Sequence, residues 1–187
     1  MTGLEYSRVT KETDVSLSLS DKGSFEMAVN TTIPIFDHIV KTLFFYSPFE
    51  LKLTARGDLA HHIMEDVGIT VGEAINKALG DRNGINRFGS AVVPMDDSLV
   101  LVAVDLVRRP YYVGNFPADT IDGISTKLFE HFFRSVAFSG LFNLHINILY
   151  GTDPHHYVEA SSKATGMSLG MALGKAATAV RSTKGSL

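Results

Sequence analysis

The chain has 187 residues and 45% hydrophobic content, enough to bury a core in one domain or two small ones. A formal net charge of -3 supplies no broad positive field, which argues against a nucleic acid partner. With no cysteine, disulfides, thiolate nucleophiles and cysteine-based metal sites are excluded, so any metal must be held by nitrogen and oxygen.

Residues 1–20 intersperse charged and polar side chains among apolar ones instead of showing a basic patch followed by an apolar core, which is not the pattern of a secretory signal. The longest apolar run, Leu99 to Val104, is far too short to span a bilayer. The expectation is a protein without a membrane partner, with the cytoplasm as its default location. Between residues 4 and 29 short alternating stretches such as Asp14-Val15-Ser16-Leu17-Ser18-Leu19 predict strands, and Asp21-Lys22-Gly23 reads as a hairpin turn between two of them. From Ile35 to Phe45 the apolar residues Ile35, Phe36, Ile39, Val40, Leu43 and Phe44 recur at helical spacing. Ser47-Pro48 stops that helix before a strand at Glu50 to Ala55. A second helix, about Ile63 to Leu79, opens on His61-His62-Ile63-Met64-Glu65 and ends at Gly80-Asp81.

The order then repeats. Strand-like runs occupy Gly89 to Pro94, Leu99 to Leu106 and Tyr111 to Val113. A helical pattern covers Lys127 to Phe138, a strand follows at Leu144 to Leu149, and a last helix runs to about Val180. That helix opens on a second HHxxE word, His155-His156-Tyr157-Val158-Glu159. His131 follows His38 by 93 positions and His155 follows His61 by 94 (131 − 38 and 155 − 61), so two markers are displaced together and the chain reads as a tandem repeat. The predicted fold is α/β of the α+β type, a duplication of a strands-helix-strand-helix half, each half a mixed sheet covered on one face by two helices. The halves are assigned to residues 1–88 and 89–187. Halves of this size can leave the second sheet face apolar, so the sheets or the helical layers should pack on each other and the molecule should oligomerise.

Four of the 7 histidines lie in the two HHxxE words. On a helix His61 and Glu65 are i and i+4, and His62 and Glu65 are i and i+3, so either histidine can share a face with the glutamate. The adjacent histidines diverge by about 100° around the axis and should serve different ions, or one ion and a supporting role. Adding His38 and His131 gives six histidines and two glutamates, enough for two sites that leave coordination positions for substrate. One HHxxE word alone would be a weak signal, since helix histidines are commonly surface or satisfied core residues; two words in register are a much stronger one. His145, in an apolar strand pattern, is left outside the site.

In order along the chain stand Phe36-Asp37-His38, the first HHxxE with Asp66, Gly68 and Ile69, Arg87-Phe88-Gly89, Pro94-Met95-Asp96, Arg109-Pro110-Tyr111, the second HHxxE with Ala160 and Ser161, and Ser182-Thr183-Lys184-Gly185. This series resembles imidazoleglycerol-phosphate dehydratase, the manganese lyase of histidine biosynthesis, over essentially the whole chain. The resemblance implies metal ligation by His38, His61, His62, Glu65, His131, His155, His156 and Glu159, with two Mn²⁺ per active site. It implies phosphate and substrate contacts from Arg87, Arg109, Lys163, Ser182 and Lys184, and a substrate-contacting acid at Glu12. Arginine suits such a role because its forked donors fit phosphate oxygens. Glu12, Glu65 and Glu159 are the candidate proton carriers. The implied reaction removes water from D-erythro-imidazole-glycerol phosphate to give imidazole-acetol phosphate. The implied state is a 24-subunit homo-oligomer with active sites at subunit interfaces. Gly57-Asp58-Leu59-Ala60 before the paired histidines is three residues shorter than usual in the family and lacks an acidic pair. Thr42 stands where a glutamine is usual, and Val107-Arg108 replaces a small Ser-Gly. Two other readings stay open: a dinuclear phosphoester hydrolase, whose usual aspartate-rich ligand set is absent, and a non-catalytic metal-binding assembly protein.

Overall fold

The structure, a computed structural model, describes residues 3–176. The first half contains β1 (Leu4–Val9), β2 (Thr13–Asp21), β3 (Ala28–Asn30), α1 (Pro34–Tyr46), β4 (Phe49–Gly57) and α2 (Ala60–Leu79). The second contains β5 (Phe88–Met95), β6 (Ser98–Asp105), β7 (Tyr111–Gly114), the short β8 (Thr120–Ile121) and β9 (Ile124–Ser125), α3 (Thr126–Ser139), β10 (Asn143–Tyr150) and α4 (Pro154–Leu173). Each half forms a four-stranded mixed sheet, ordered β1-β2-β4-β3 and β5-β6-β10-β7, in which the last-named pair is parallel and the rest antiparallel. The orders correspond strand for strand, as the repeat requires.

Alternation in the strands decides which sheet face is covered. Val15, Leu17 and Leu19 of β2 and Leu51, Leu53 and Ala55 of β4 are buried under α1 and α2, while Asp14, Ser16, Lys52 and Thr54 face outward. In the second half Val100, Val102 and Val104 face α3 and α4, but the outer face carries Val92, Tyr111 and Val113, each about half exposed. The outer apolar face expected from the size of a half therefore exists in the second half and not in the first. The helices lie between the sheets, with α1 packed on α4 and α2 on α3. Phe36 of α1 stands edge-on to Phe132 of α3, ring centroids 5.0 Å apart, and ties the halves together beneath the histidines. Arg82, 1% exposed and in the left-handed region at φ 61°, donates to the carbonyls of Gly140 (2.9 Å) and Leu141 (2.6 Å) and clasps the ends of α2 and α3. Among the described residues no helix is long and apolar enough to cross a membrane.

Two expectations need correction. Asp21-Lys22-Gly23 is a turn but not a hairpin, because Glu50 accepts from the backbone amides of Gly23, Ser24 and Phe25 (2.8–2.9 Å) and turns the chain away from β2. Strand β3 therefore pairs parallel with β4. The last helix ends at Leu173, not near Val180: Gly174 leaves the helix at ψ 148°, and Ala176 donates to Gly84, an edge contact that runs across the helix direction.

The helix pairs approach closely at glycine. A Cβ on Gly72 of α2 would stand 2.6 Å from the Val136 carbonyl of α3, and one on Gly166 of α4 would stand 2.3 Å from the Leu43 carbonyl of α1. The two positions are equivalent in the repeat. Helix propensity alone would favour alanine over glycine by up to ~1 kcal/mol. Displacing backbone in a packed interior costs ~1–3 kcal/mol. Gly72→Ala and Gly166→Ala are accordingly expected to destabilise the fold, with urea midpoints below that of the unmodified chain; an increase at either position would contradict this packing.

Candidate metal centre

Local sequence sets both HHxxE words at helix starts. Asp153 caps α4 through its side chain, accepting from the His155 amide (2.8 Å), and Pro154 occupies the first turn, where no amide donor is required. Helix α2 begins at Ala60 without a side-chain cap, so the shortened segment still delivers His61 and His62 into the first turn. Helix α1 begins at Pro34, and Asp37 in its first turn accepts from the Thr31 amide (2.7 Å), placing His38 one turn in.

Two clusters of potential ligand atoms result, each with its atoms within 4.8 Å of one another: His38, His155 and Glu159, and His61, Glu65 and His131. In the first, Glu159 Oε2 lies 2.9 Å from His38 Nε2 and 3.0 Å from His155 Nε2. In the second, Glu65 lies 3.6 Å from His61 Nε2 and 3.4 Å from His131 Nε2. Each cluster takes two ligands from one half and one from the other. A divalent ion suits them. Nε2 of His131 is buried without a hydrogen-bond partner, and such an orphaned nitrogen is costly unless something coordinates it. Two imidazoles and a carboxylate are a usual first-row metal donor set.

The second histidine of each word turns away from its cluster, as the helical angle demanded. His62 Nδ1 bonds Asp58 (2.8 Å), with Glu12 at 3.8 Å, and His156 Nδ1 bonds Asp97 (2.7 Å). Six of the eight expected ligands thus converge within one chain, and His62 and His156 do not. The two aspartates were not identified from sequence. Asp58 stands four residues before His62, a helical spacing that could have revealed it, whereas Asp97 is 59 positions from His156 and left no local signal.

Charges around the clusters are paired. Burial opposes ionisation of Glu159, but hydrogen bonds from His38 and Lys163 and their charge bring it down to about 2. Lys163 Nζ is 3.0 Å from Glu159 Oε1, so this predicted substrate contact borders the first cluster. Glu12 stands beside the outward-turned His62, its side chain 58% exposed. The arginines lie elsewhere. Arg87 holds Asp105 through two bonds (2.7 and 2.9 Å), and its amide donates to Ala172, thirteen residues beyond Glu159 along α4. At 1.5 Å rise per residue, that is ~20 Å from the first cluster. Exposed Arg109 lies just ahead of β7, near the Gly140 end of α3. Ser182 and Lys184 lie outside the described residues.

Hydrogen bonding to Asp58 raises the pKa of His62 above 6.5, with Glu12, Asp58 and Glu65 adding to it; Asp97 does the same for His156, with Asp153 and Asp96 adding. A raised value means the positive form persists below it and is lost as pH rises through it. In chelator-treated protein both rings should show NMR titration midpoints above 6.5, and midpoints at or below that value would contradict the pairing.

Residues 31–169 match the family model described as imidazoleglycerol-phosphate dehydratase. The imidazoleglycerol-phosphate dehydratase of Pelotomaculum thermopropionicum is 47% identical over 192 residues, covering 100% of this chain and 98% of that protein. The enzyme of that name from Metallosphaera sedula is 44% identical, covering 98% of each. Among solved structures, IGPD from Pyrococcus furiosus in complex with (S)-C348 superposes with a TM-score of 0.85 at 38% identity, over 97% of this chain and 99% of that one. Imidazoleglycerol-phosphate dehydratase from Staphylococcus aureus gives 0.81 at 30% identity, over 92% and 100%.

Proposed function

Because the chain belongs to the imidazoleglycerol-phosphate dehydratase family, hydro-lyases of histidine biosynthesis, we propose that it dehydrates D-erythro-imidazole-glycerol phosphate to imidazole-acetol phosphate with two bound Mn²⁺ ions. The observation that carries this reading is the pair of three-ligand clusters, each built from both halves and each short of a full coordination shell. His38, His155 and Glu159 would hold one ion, and His61, Glu65 and His131 the other. His62 and His156 would complete the shells of neighbouring copies. Six imidazoles would bind zinc or nickel at least as tightly, so the manganese assignment rests on the family and on supply. Bound divalent ions supply Lewis-acid stabilisation of negative charge developing on the substrate.

The protein's own side chains divide the remaining work. Glu65 and Glu159 direct their oxygens at ligand nitrogens or at Lys163, which suits them to ligation. Glu12 stands beside His62 with a largely exposed carboxylate and is assigned the proton transfer. Lys163 neutralises and orients Glu159 on the substrate side. Arg87 and Arg109, with Ser182 and Lys184 of the C-terminal segment, are assigned to the phosphate. In one chain Arg87 lies ~20 Å from the first cluster by the helix rise, and a ring with a three-carbon chain spans less than half of that. If Arg87 and the first cluster serve one substrate, they therefore come from different copies. This supports a homo-oligomer with shared sites, for which we propose 24 subunits that fall to smaller species such as trimers when the metal is removed.

The test incubates the purified chain, Mn²⁺ and imidazole-glycerol phosphate and follows ketone formation. Ketone is expected; free phosphate would mark a phosphoester hydrolase instead, and neither product would mark a metal-binding assembly protein. Glu12→Gln should lower kcat by 10²-fold or more, the usual range for losing a general acid-base group, with metal content unchanged. Near-normal turnover would remove Glu12 from that role. Native mass with and without chelator tests assembly, and a metal-replete monomer would contradict shared sites.

A further inference from the structure

Each histidine that turns away from its cluster is bonded at Nδ1 by an aspartate, but the two aspartates are built differently. Asp58 is 55% exposed and sits on the same helix start as His62, to which it makes a single 2.8 Å bond. Asp97 lies in the two-residue turn that joins β5 to β6, beside Asp96 at φ 48°. Its Oδ2 accepts three donors from the segment that opens α4, the Thr152 amide (2.6 Å), the Thr152 hydroxyl (2.6 Å) and the Asp153 amide (3.0 Å). Oδ1 faces His156 Nδ1 at 2.7 Å and also accepts from the Ser98 hydroxyl at 3.3 Å. His156 Nε2 is the outward nitrogen, with Asp96 at 3.4 Å and Asp153 at 3.9 Å.

A carboxylate caught this way offers His156 only an acceptor. We propose that Asp97 is a positioning residue that selects the tautomer of His156, keeping the hydrogen on Nδ1 and the lone pair of Nε2 free for a metal ion. The inference rests on reading His156 as a ligand to an ion shared between copies. A hydrogen-bonded partner at the far ring nitrogen is a general means of fixing a metal-binding histidine. The case here turns on the three donors that lock Oδ2. An asparagine at this position has one oxygen, and three donors claim it. Its amino group must then face His156 and donate to Nδ1, which moves the ring hydrogen to Nε2 and blocks coordination. Asp58 is approached by the backbone of Leu59 and of Asp58 itself and not, among the described residues, by three donors on one oxygen, so an asparagine there can turn its oxygen toward His62.

The experiment measures Mn²⁺ affinity and ions bound per chain in chelator-treated protein, using Mn²⁺ alone, together with thermal melting of the same samples. Asp97→Asn keeps the three donors satisfied and should melt closer to the unmodified chain than Asp97→Ala. In Mn²⁺ binding the order should reverse. Asp97→Ala, which leaves the ring free to choose, should weaken the ion that His156 completes by the ~10–100-fold usual for a lost partner of a ligand, and Asp97→Asn should weaken it further. Asp58→Asn should lose less than Asp97→Asn. A purely structural Asp97 predicts the same order in melting and in binding, and that result, or unchanged binding in Asp97→Asn, would overturn the proposal. His156→Ala is the separate control: if it binds Mn²⁺ as the unmodified chain does, the ligand assignment itself fails.

Discussion

Backbone-to-backbone approach of the helices, α1 to α4 and α2 to α3, is the constraint on which the remainder depends. Where Gly72 and Gly166 sit, an added methyl would press on the carbonyl of the facing helix. That closeness lets a histidine on one half reach a carboxylate on the other, so that His38 meets Glu159 and His131 meets Glu65. Phe36 and Phe132 fill the space below, and Arg82 closes the far end of the α2/α3 pair. Burial of Arg82 lowers its pKa to about 10, and the neighbouring Arg108 contributes to the fall while Asp105 opposes it. The guanidinium nonetheless stays charged at neutral pH and keeps donating to its carbonyls.

Much of this was legible in the sequence because it is periodic. Apolar spacing of 3.6 marks the helices, alternation marks the strands, and the matched displacement of His38 and His61 marks the duplication. The HHxxE word even dictates that its two histidines diverge. It does not say which of them turns inward, since that depends on where the neighbouring helix lies. Asp21-Lys22-Gly23 reads as a hairpin turn for a similar reason: the carboxylate that redirects the chain, Glu50, lies more than twenty residues beyond the turn that it holds. The overestimated end of α4 reflects composition, because Ala172, Leu173, Lys175 and Ala176 are all acceptable in a helix, whereas Gly174 and the tertiary pairing of Gly174 with Asn86 and of Ala176 with Gly84 take the chain out of it.

The molecule has two chemically distinct ends. At the starts of α2 and α4 lie imidazoles and carboxylates; near the ends of α2 and α3 lie Arg82, Arg87, Arg108 and Arg109, of which Arg87 is held by Asp105 and Arg108 donates to the Gly80 carbonyl (2.7 Å). The two sets of groups are thus separated along the helices and not gathered at one place. The outer sheet faces differ too, polar in the first half and partly apolar in the second, so the two outer surfaces of the chain are not chemically equivalent.

Neither cluster belongs to one half. The first borrows His38 and the second borrows His131, and the positions are related by the same repeat that relates Gly72 to Gly166. A solitary half would keep two ligands of one cluster and the borrowed histidine of the other, and so would hold neither site complete. The repeat does not extend to the partners of the outward histidines: Asp58 stands just ahead of the helix that carries His62, whereas Asp97 lies in a turn distant in sequence from His156.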